Sequence, residues 1–232
     1  GSETSGGLFG AGTVRQNGGS ANTLIVGSGN ANGSFSGAIN NVGGAISFTK
    51  TGTGTQTLSG TNSGYTGVTT ISAGVLEAAA LANGGTNSSI GASANAATNL
   101  VFGAATATLR YTGSANVTTD RGFTLSSGPS NTGATLESSG SGAWTIPAAV
   151  AIGYGTGSGA RALALGGAGT GANSFAGSIA NNGTGLTTVN KAGAGTWALT
   201  SNNSFTGPLN INGGRLNLSF IGNGAAASQV GQ

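Results

Sequence analysis

The feature that most constrains the fold is an internal repeat. The stretch Phe48–Leu76, FTKTGTGTQTLSGTNSGYTGVTTISAGVL, is echoed near the other end of the chain by Val189–Leu216, VNKAGAGTWALTSNNSFTGPLNINGGRL. The correspondence extends over residues 35–91 and 175–231, which lie 140 positions apart at both ends. Glycines and apolar residues that stay in step over such a distance indicate stacked structural units rather than a two-sheet sandwich.

Five pairs of equivalent positions define the repeat, and we expect each pair to share a structural role. The two lysines are predicted to bond to carbonyl groups of the coils, and the apolar and aromatic residues are predicted to pack inward. The pairs are Lys50 and Lys191, Leu58 and Leu199, Tyr65 and Phe205, Ile71 and Ile211, and Leu76 and Leu216.

Short apolar runs of about three to six residues recur through the whole chain and indicate an all-β protein. Gly, Ser and Asn separate the runs, and no window has a convincing helical period. Stacked coils of roughly 20–25 residues, spaced about 4.8 Å apart, give about ten coils and a rod of about 50 Å. The sequence therefore predicts a single β-solenoid domain over residues 8–232, preceded by a leader or expression-derived linker over residues 1–7.

The composition fits this architecture and argues against several partners. Only 11 of the 232 residues are charged, and 48 are glycine. Like charges stacked in register repel one another, which explains a low charge content without reference to function. The net charge of +3 is spread along the chain without a basic cluster, so no nucleic-acid partner is predicted. No apolar run reaches the ~18 residues of a membrane helix, so no membrane insertion of this segment is predicted.

The side chains needed for catalysis are scarce. There is no Cys and no His, and the acidic residues are Glu3, Glu77, Asp120 and Glu137, without a motif that would pair them. The sequence therefore predicts no enzyme, no catalytic residue, no cofactor and no metal, and a polysaccharide-acting enzyme is the least favoured alternative. The adjacent Asp120 and Arg121, with Arg110 nearby, are predicted to form an ion pair that caps or bridges coils.

Two tryptophans carry the main functional alternative. Trp197 occupies the repeat position that Gln56 fills in the first copy, so this position is not uniformly apolar. An exposed Trp197, and Trp144 with it, could stack on a sugar ring. The sequence thus leaves open a module that binds glycan or matrix through Trp144 and Trp197.

Both copies resemble the passenger-associated transport repeat, also called the autotransporter-associated β-strand repeat. They match its pattern of a hydrophobic residue, Lys-x-Gly-x-Gly, Leu, an aromatic residue with Gly, and Ile before Gly-x-Leu. The segment Thr108–Leu125 also resembles the segment that joins such repeats in large secreted passengers.

This resemblance implies a right-handed parallel β-helix that a Gram-negative-type bacterium secretes or displays on its surface, with repeats that assist export and folding. We therefore expect a structural segment such as a rigid stalk, adhesin shaft or fibre component. The unpaired strand edges at the ends of a solenoid also predict end-to-end self-association.

Overall fold

The computed structural model describes residues 1–103, 106–125, 132–222 and 228–231. The described backbone consists of short strands, turns and two 3₁₀ helices of three residues each, Ser28–Asn30 and Ala97–Asn99. No helix in these residues is long and apolar enough to cross a membrane.

Twenty-three strands follow one another in the described part of the chain. The first ten are β1 (Ser2–Thr4), β2 (Phe9–Gly10), β3 (Thr13–Gln16), β4 (Asn22–Val26), β5 (Gly33–Phe35), β6 (Ala38–Asn41), β7 (Ile46–Lys50), β8 (Thr55–Leu58), β9 (Thr69–Ile71) and β10 (Val75–Ala78). The next seven are β11 (Leu100–Phe102), β12 (Thr108–Tyr111), β13 (Val117–Thr118), β14 (Phe123–Leu125), β15 (Thr132–Ser138), β16 (Trp144–Ile146) and β17 (Ile152–Tyr154). The last six are β18 (Arg161–Gly166), β19 (Asn173–Phe175), β20 (Thr187–Lys191), β21 (Thr196–Leu199), β22 (Leu209–Ile211) and β23 (Arg215–Leu218).

The strands stack into parallel sheets that run along the axis of a β-solenoid. Sheet A has the order β1-β4-β7-β9-β11-β14-β17, and sheet B has the order β2-β5-β8-β10-β12-β15-β18-β20-β22. Sheet C pairs β3 with β6, and sheet D has the order β13-β16-β19-β21-β23. Every pair of neighbouring strands in the four sheets is parallel, as the stacking of coils requires.

The solenoid has about eight turns, so the predicted number of ten is corrected. The difference comes from coil length, because several coils are longer than the sequence rhythm suggested. Residues 79–99 form an excursion between Glu77 and its partner on the next rung, Arg110, and this excursion lengthens the coil. The coil between Leu199 and its partner Leu218 has no such excursion. Nine stacked strands in sheet B span about 40 Å at about 4.8 Å per spacing. The right-handed winding stays a prediction.

Alternation along each strand positions the core. In β7 the side chains of Ile46, Phe48 and Lys50 are buried, whereas the two between them are half-buried. The same pattern recurs in most strands, and in-register stacking joins the inward positions into apolar ladders. One buried cluster of Leu, Ile, Val, Phe, Tyr, Trp and Ala side chains therefore extends along the solenoid.

The two copies of the repeat lie on different faces of the solenoid. In the first copy β7 lies in sheet A and β8 in sheet B, whereas their counterparts β20 and β21 lie in sheets B and D. The same advance by one sheet takes β9 and β10 to β22 and β23. The repeat distance is therefore about five turns plus one face, so the same motif is accommodated from two different starting faces.

The segment interpreted as a leader takes part in the first coil. Strand β1 pairs with β4 in the register Ser2 to Thr23, Glu3 to Leu24 and Thr4 to Ile25. Glu3 is thereby placed on the same ladder as Leu24 and the buried Phe48. The N-terminal rung thus has a carboxylate on a ladder that continues through Leu24, Phe48 and Thr69.

Candidate functional site

The repeat lysines close the corners of their coils. Lys50 Nζ donates hydrogen bonds to the carbonyl oxygens of Thr51 and Gly52 at 2.6 and 2.9 Å, and to that of Ala73 in the next coil at 3.3 Å. Gly52 has φ +65°, and a Cβ there would collide with the Gly27 carbonyl, so the corner requires glycine. Burial lowers the pKa of Lys50. The expected bond between a repeat lysine and coil carbonyls is present.

Most of the predicted structural positions are buried, and the exceptions lie in the last coil. Ile211 is 58% exposed, whereas its counterpart Ile71 is fully buried, and Leu216 is half-buried. The difference arises because β22 and β23 are the last strands of their sheets in the described residues. The buried members are Lys50, Leu58, Tyr65, Ile71, Leu76, Lys191, Leu199 and Phe205.

The structure corrects the prediction that Trp144 and Trp197 contact a ligand. Their exposures are 2% and 0%, and their ring centroids lie 5.9 Å apart inside the solenoid. Trp197 Nε1 donates to the Gly166 carbonyl at 2.9 Å. Its counterpart Gln56 is also buried and bonds to the backbone of Leu8, so this position is an inward one that accepts polar or aromatic side chains.

The charged cluster on the outer surface is a ladder on sheet B. Arg110 donates through Nη1 to Glu77 at 2.8 Å and through Nε to Glu137, and these three residues occupy consecutive rungs. Thr57 extends the ladder by donating to the second oxygen of Glu77 at 2.7 Å. Burial alone would lower the pKa of Arg110, but the hydrogen bonds and charges of Glu137 and Glu77 outweigh burial and raise it.

A shallow groove of about 440 Å³ runs beside this ladder. Its lining combines the charged ladder with hydroxyl groups and small residues that leave the surface open. The lining residues are Glu77, Arg110, Thr112, Glu137, Ser139, Gly167, Ala168, Gly193 and Ala194. Carboxylate, guanidinium and hydroxyl groups in one open groove offer donors and acceptors to a polar ligand.

The expected ion pair between Asp120 and Arg121 is not among the ion pairs of the described residues. Instead, Arg121 is buried and donates to the Ala82 and Gly91 carbonyls at 3.1 and 2.7 Å, and to Ser93 Oγ at 2.9 Å. Burial lowers the pKa of Arg121. The arginine therefore holds the excursion of residues 79–99 against the next coil, so it does bridge coils, though through carbonyls.

Four of the seven basic residues are buried in this way, which removes them from the surface. Lys50, Arg121, Arg161 and Lys191 are each at most 5% exposed and bond to backbone carbonyls. The net charge of +3 therefore does not correspond to a positive surface. Among the described residues, no group of three or more His, Cys, Asp or Glu side chains is placed to hold a metal ion.

The sequence could not have located the polar ladder. Glu77, Arg110 and Glu137 are unevenly spaced along the chain, and their spacing follows from coil lengths that no local pattern sets. The corners closed by the lysines, by contrast, could be predicted from the sequence because the Lys-x-Gly motif recurs at equivalent positions.

Comparisons with known proteins agree with the repeat architecture. Residues 48–78 and 189–218 match the family described as passenger-associated-transport-repeat. A protein named "Adhesin BmaC autotransporter" from Brucella suis biovar 1 (strain 1330) is 48% identical over 176 residues. The match covers 75% of this chain but only 5% of that relative's length. No solved structure matches the chain.

Proposed function

Since the chain is an autotransporter passenger with passenger-associated transport repeats, we propose that it serves as a rigid shaft in an adhesin. It is a secreted or cell-surface protein of a Gram-negative bacterium. The observation that carries the proposal is the unbroken parallel stacking of sheet B through nine strands, clamped at its corners by buried cations. The relative's printed name supports a place in an adhesin.

Assistance to export and folding belongs to the same proposal. Each coil contacts the coils directly above and below it, so folding can propagate from one coil to the next as the chain emerges. Lys50 and Lys191 favour this order because each nitrogen bonds to the corner of the following coil, at Ala73 and Gly213. We propose no catalytic role, since Glu77 and Glu137 are both engaged by Arg110.

Mechanical unfolding tests the shaft. The chain contains no Cys, so substitutions Ser2→Cys and Ser219→Cys attach handles at the two ends without side reactions. We expect extension in several steps, each corresponding to the release of one or a few coils, because each coil is held by its neighbours. Unfolding of the whole chain in a single step would contradict the shaft.

A second candidate function, adhesion through the groove beside Arg110, is favoured by its mixture of carboxylate, guanidinium and hydroxyl groups. Polar groups of this kind bind sugar hydroxyls. Calorimetry with oligosaccharide fragments of matrix polymers, comparing wild type with Glu137→Gln and with the exposed-site control Arg215→Gln, tests it. We expect Glu137→Gln alone to weaken binding. Equal binding by all three proteins would exclude the groove.

A further inference from the structure

The excursion of residues 79–99 carries an Asn-Gly dipeptide at Asn83 and Gly84, and Asn83 is exposed. This dipeptide can modify itself, because glycine has no side chain to keep its nitrogen away from the preceding asparagine. The Gly84 nitrogen attacks Asn83 Cγ and forms a cyclic imide. The bond from Cγ to Nδ2 breaks, and Nδ2 leaves as ammonia with the proton from the Gly84 amide. Water then opens the ring to aspartate or isoaspartate.

Asp120, in the coil that follows the excursion, bonds to both reacting groups of this dipeptide. The Gly84 amide donates to Asp120 Oδ1 at 2.8 Å, and Asn83 Oδ1 accepts from the Asp120 amide at 3.0 Å. Asn95 positions the carboxylate by donating from Nδ2 to its second oxygen at 3.2 Å. One residue therefore engages the nucleophile and the electrophile of the same reaction.

These two bonds oppose the reaction in two ways. Attack requires the Gly84 nitrogen to lose its proton, and the Asp120 carboxylate disfavours a second negative charge at so short a distance. Attack also requires the Asn83 side chain to rotate until Cγ faces that nitrogen, and the bond from the Asp120 amide restrains this rotation. A turn fixes the backbone of the same residues, since the Thr86 amide donates to the Asn83 carbonyl at 3.1 Å.

We propose that Asn83 is a deamidation site that Asp120 keeps closed. Conversion would place a carboxylate at position 83 beside that of Asp120, and two like charges at this distance repel each other. Isoaspartate would also add a carbon to the main chain before Gly84. Because both changes break the contact between the excursion and residues 119–121, Asp120 protects the attachment of the excursion as well as the Asn83 side chain.

A second Asn-Gly dipeptide in the same chain, Asn17 and Gly18, provides the reference. Both residues are exposed, and the Asn17 side chain has no hydrogen-bond partner within the part of the chain that the structure describes. The Gly18 amide donates to the neutral side chain of Gln16 at 2.9 Å. Because Asn17 and Asn83 are both exposed, access of water does not distinguish them, whereas the contacts of Asp120 do.

The experiment incubates the folded protein at neutral pH and measures aspartate and isoaspartate at both dipeptides by mass spectrometry of their peptides. We expect Asn83 to convert on the order of 10- to 100-fold more slowly than Asn17, because its reacting groups are held apart. In urea the two rates should converge, since unfolding removes the contacts of Asp120.

Two variants separate Asp120 from the other contacts of the excursion. Asp120→Ala should accelerate conversion at Asn83 by about tenfold or more and leave Asn17 unchanged. Thr119→Val is the matched control, because it removes a neighbouring 2.9 Å hydrogen bond to the Ala82 carbonyl without touching the dipeptide. This control should leave the rate at Asn83 close to that of wild type.

Three results would overturn the proposal. Equal rates at Asn17 and Asn83 in the folded wild type would show that Asp120 gives no protection, and this comparison needs no variant to fold. Equal acceleration by Thr119→Val and Asp120→Ala would mean that any loosening of the excursion opens the site. Slower conversion in Asp120→Ala would make the carboxylate a base that assists the reaction.

Discussion

Lys50 and Lys191 lie far apart in the chain and on different faces of the solenoid, yet their amines have the same three-carbonyl environment. Lys191 Nζ donates to the carbonyls of Ala192, Gly193 and Gly213 at 2.6, 3.0 and 3.0 Å. In both copies the first two acceptors belong to the corner after the lysine and the third belongs to the next coil. The lysine is therefore a clamp between consecutive coils.

Replacement of either lysine by methionine should destabilise the protein by about 2–4 kcal/mol. The methionine fills the space but donates no hydrogen bond, so three partly buried carbonyls lose a charged donor. Urea unfolding of Lys50→Met and Lys191→Met measures the effect, and Arg215→Met, at an exposed position of the last rung, is the control. Equal stability of all three variants would contradict the clamp.

Ile71 and Ile211 occupy equivalent repeat positions, and the pair tests which of the two rungs lies at the end of the stack. Ile71→Asp should cost several kcal/mol because it places a carboxylate at a fully buried position between Lys50 and Phe102, where the Lys50 amine is already bonded to three carbonyls. Ile211→Asp should cost less than about 1 kcal/mol, since this side chain is 58% exposed. Thermal melting of the two variants distinguishes them. A larger loss of stability for Ile211→Asp than for Ile71→Asp would contradict the exposure of Ile211 and the burial of Ile71.

The repeat allowed most of the fold to be predicted but only part of the candidate site. Equivalent spacing identified Lys50 and Lys191 as structural, because a shared motif implies a shared environment. It misassigned Trp197, since the change from Gln56 suggested a surface position, whereas Gln56 is itself buried and satisfied by Leu8. The outer ladder through Arg110 depends on long-range register, which sequence spacing does not encode.

The buried tryptophans should report on the core rather than on a ligand. Trp197→Ala and Trp144→Ala should each cost about 3–5 kcal/mol, because each leaves a large cavity. Wild-type emission should be blue-shifted and resistant to quenching by iodide. Strong iodide quenching of the folded protein would show that at least one indole is exposed.

The ladder on sheet B should contribute modestly to stability. Arg110→Ala is expected to cost about 1 kcal/mol, because the three side chains are 21–29% exposed and solvent screens partly exposed pairs. The loss should shrink at high salt, since added ions screen the pair further. A double-mutant cycle with Glu137→Gln measures the coupling of this pair, and a coupling energy of zero at low salt would contradict the ion pair.

Tyr65 should make the protein less stable at high pH. Burial raises its pKa above the ordinary value of 10.0, so the folded state keeps a proton that the unfolded state loses. The unfolded chain then binds fewer protons, and stability falls by up to about 1.4 kcal/mol per pH unit above pH 10. Lys50 and Lys191 act in the opposite direction, because burial lowers their pKa values.

A single substitution separates the contribution of Tyr65 to the pH dependence of stability from that of the two lysines. Tyr65→Phe introduces the side chain that the counterpart Phe205 already has. It removes only the 2.8 Å hydrogen bond between the Tyr65 hydroxyl and Thr69. At pH 8 we expect Tyr65→Phe to be about 1 kcal/mol less stable than wild type. At pH 11 the two should be nearly equal, because only wild type has lost stability through this group. Urea unfolding of both proteins at the two pH values measures the difference in their free energies of unfolding. A difference that is the same at pH 8 and pH 11 would show that Tyr65 ionises alike in the folded and unfolded states.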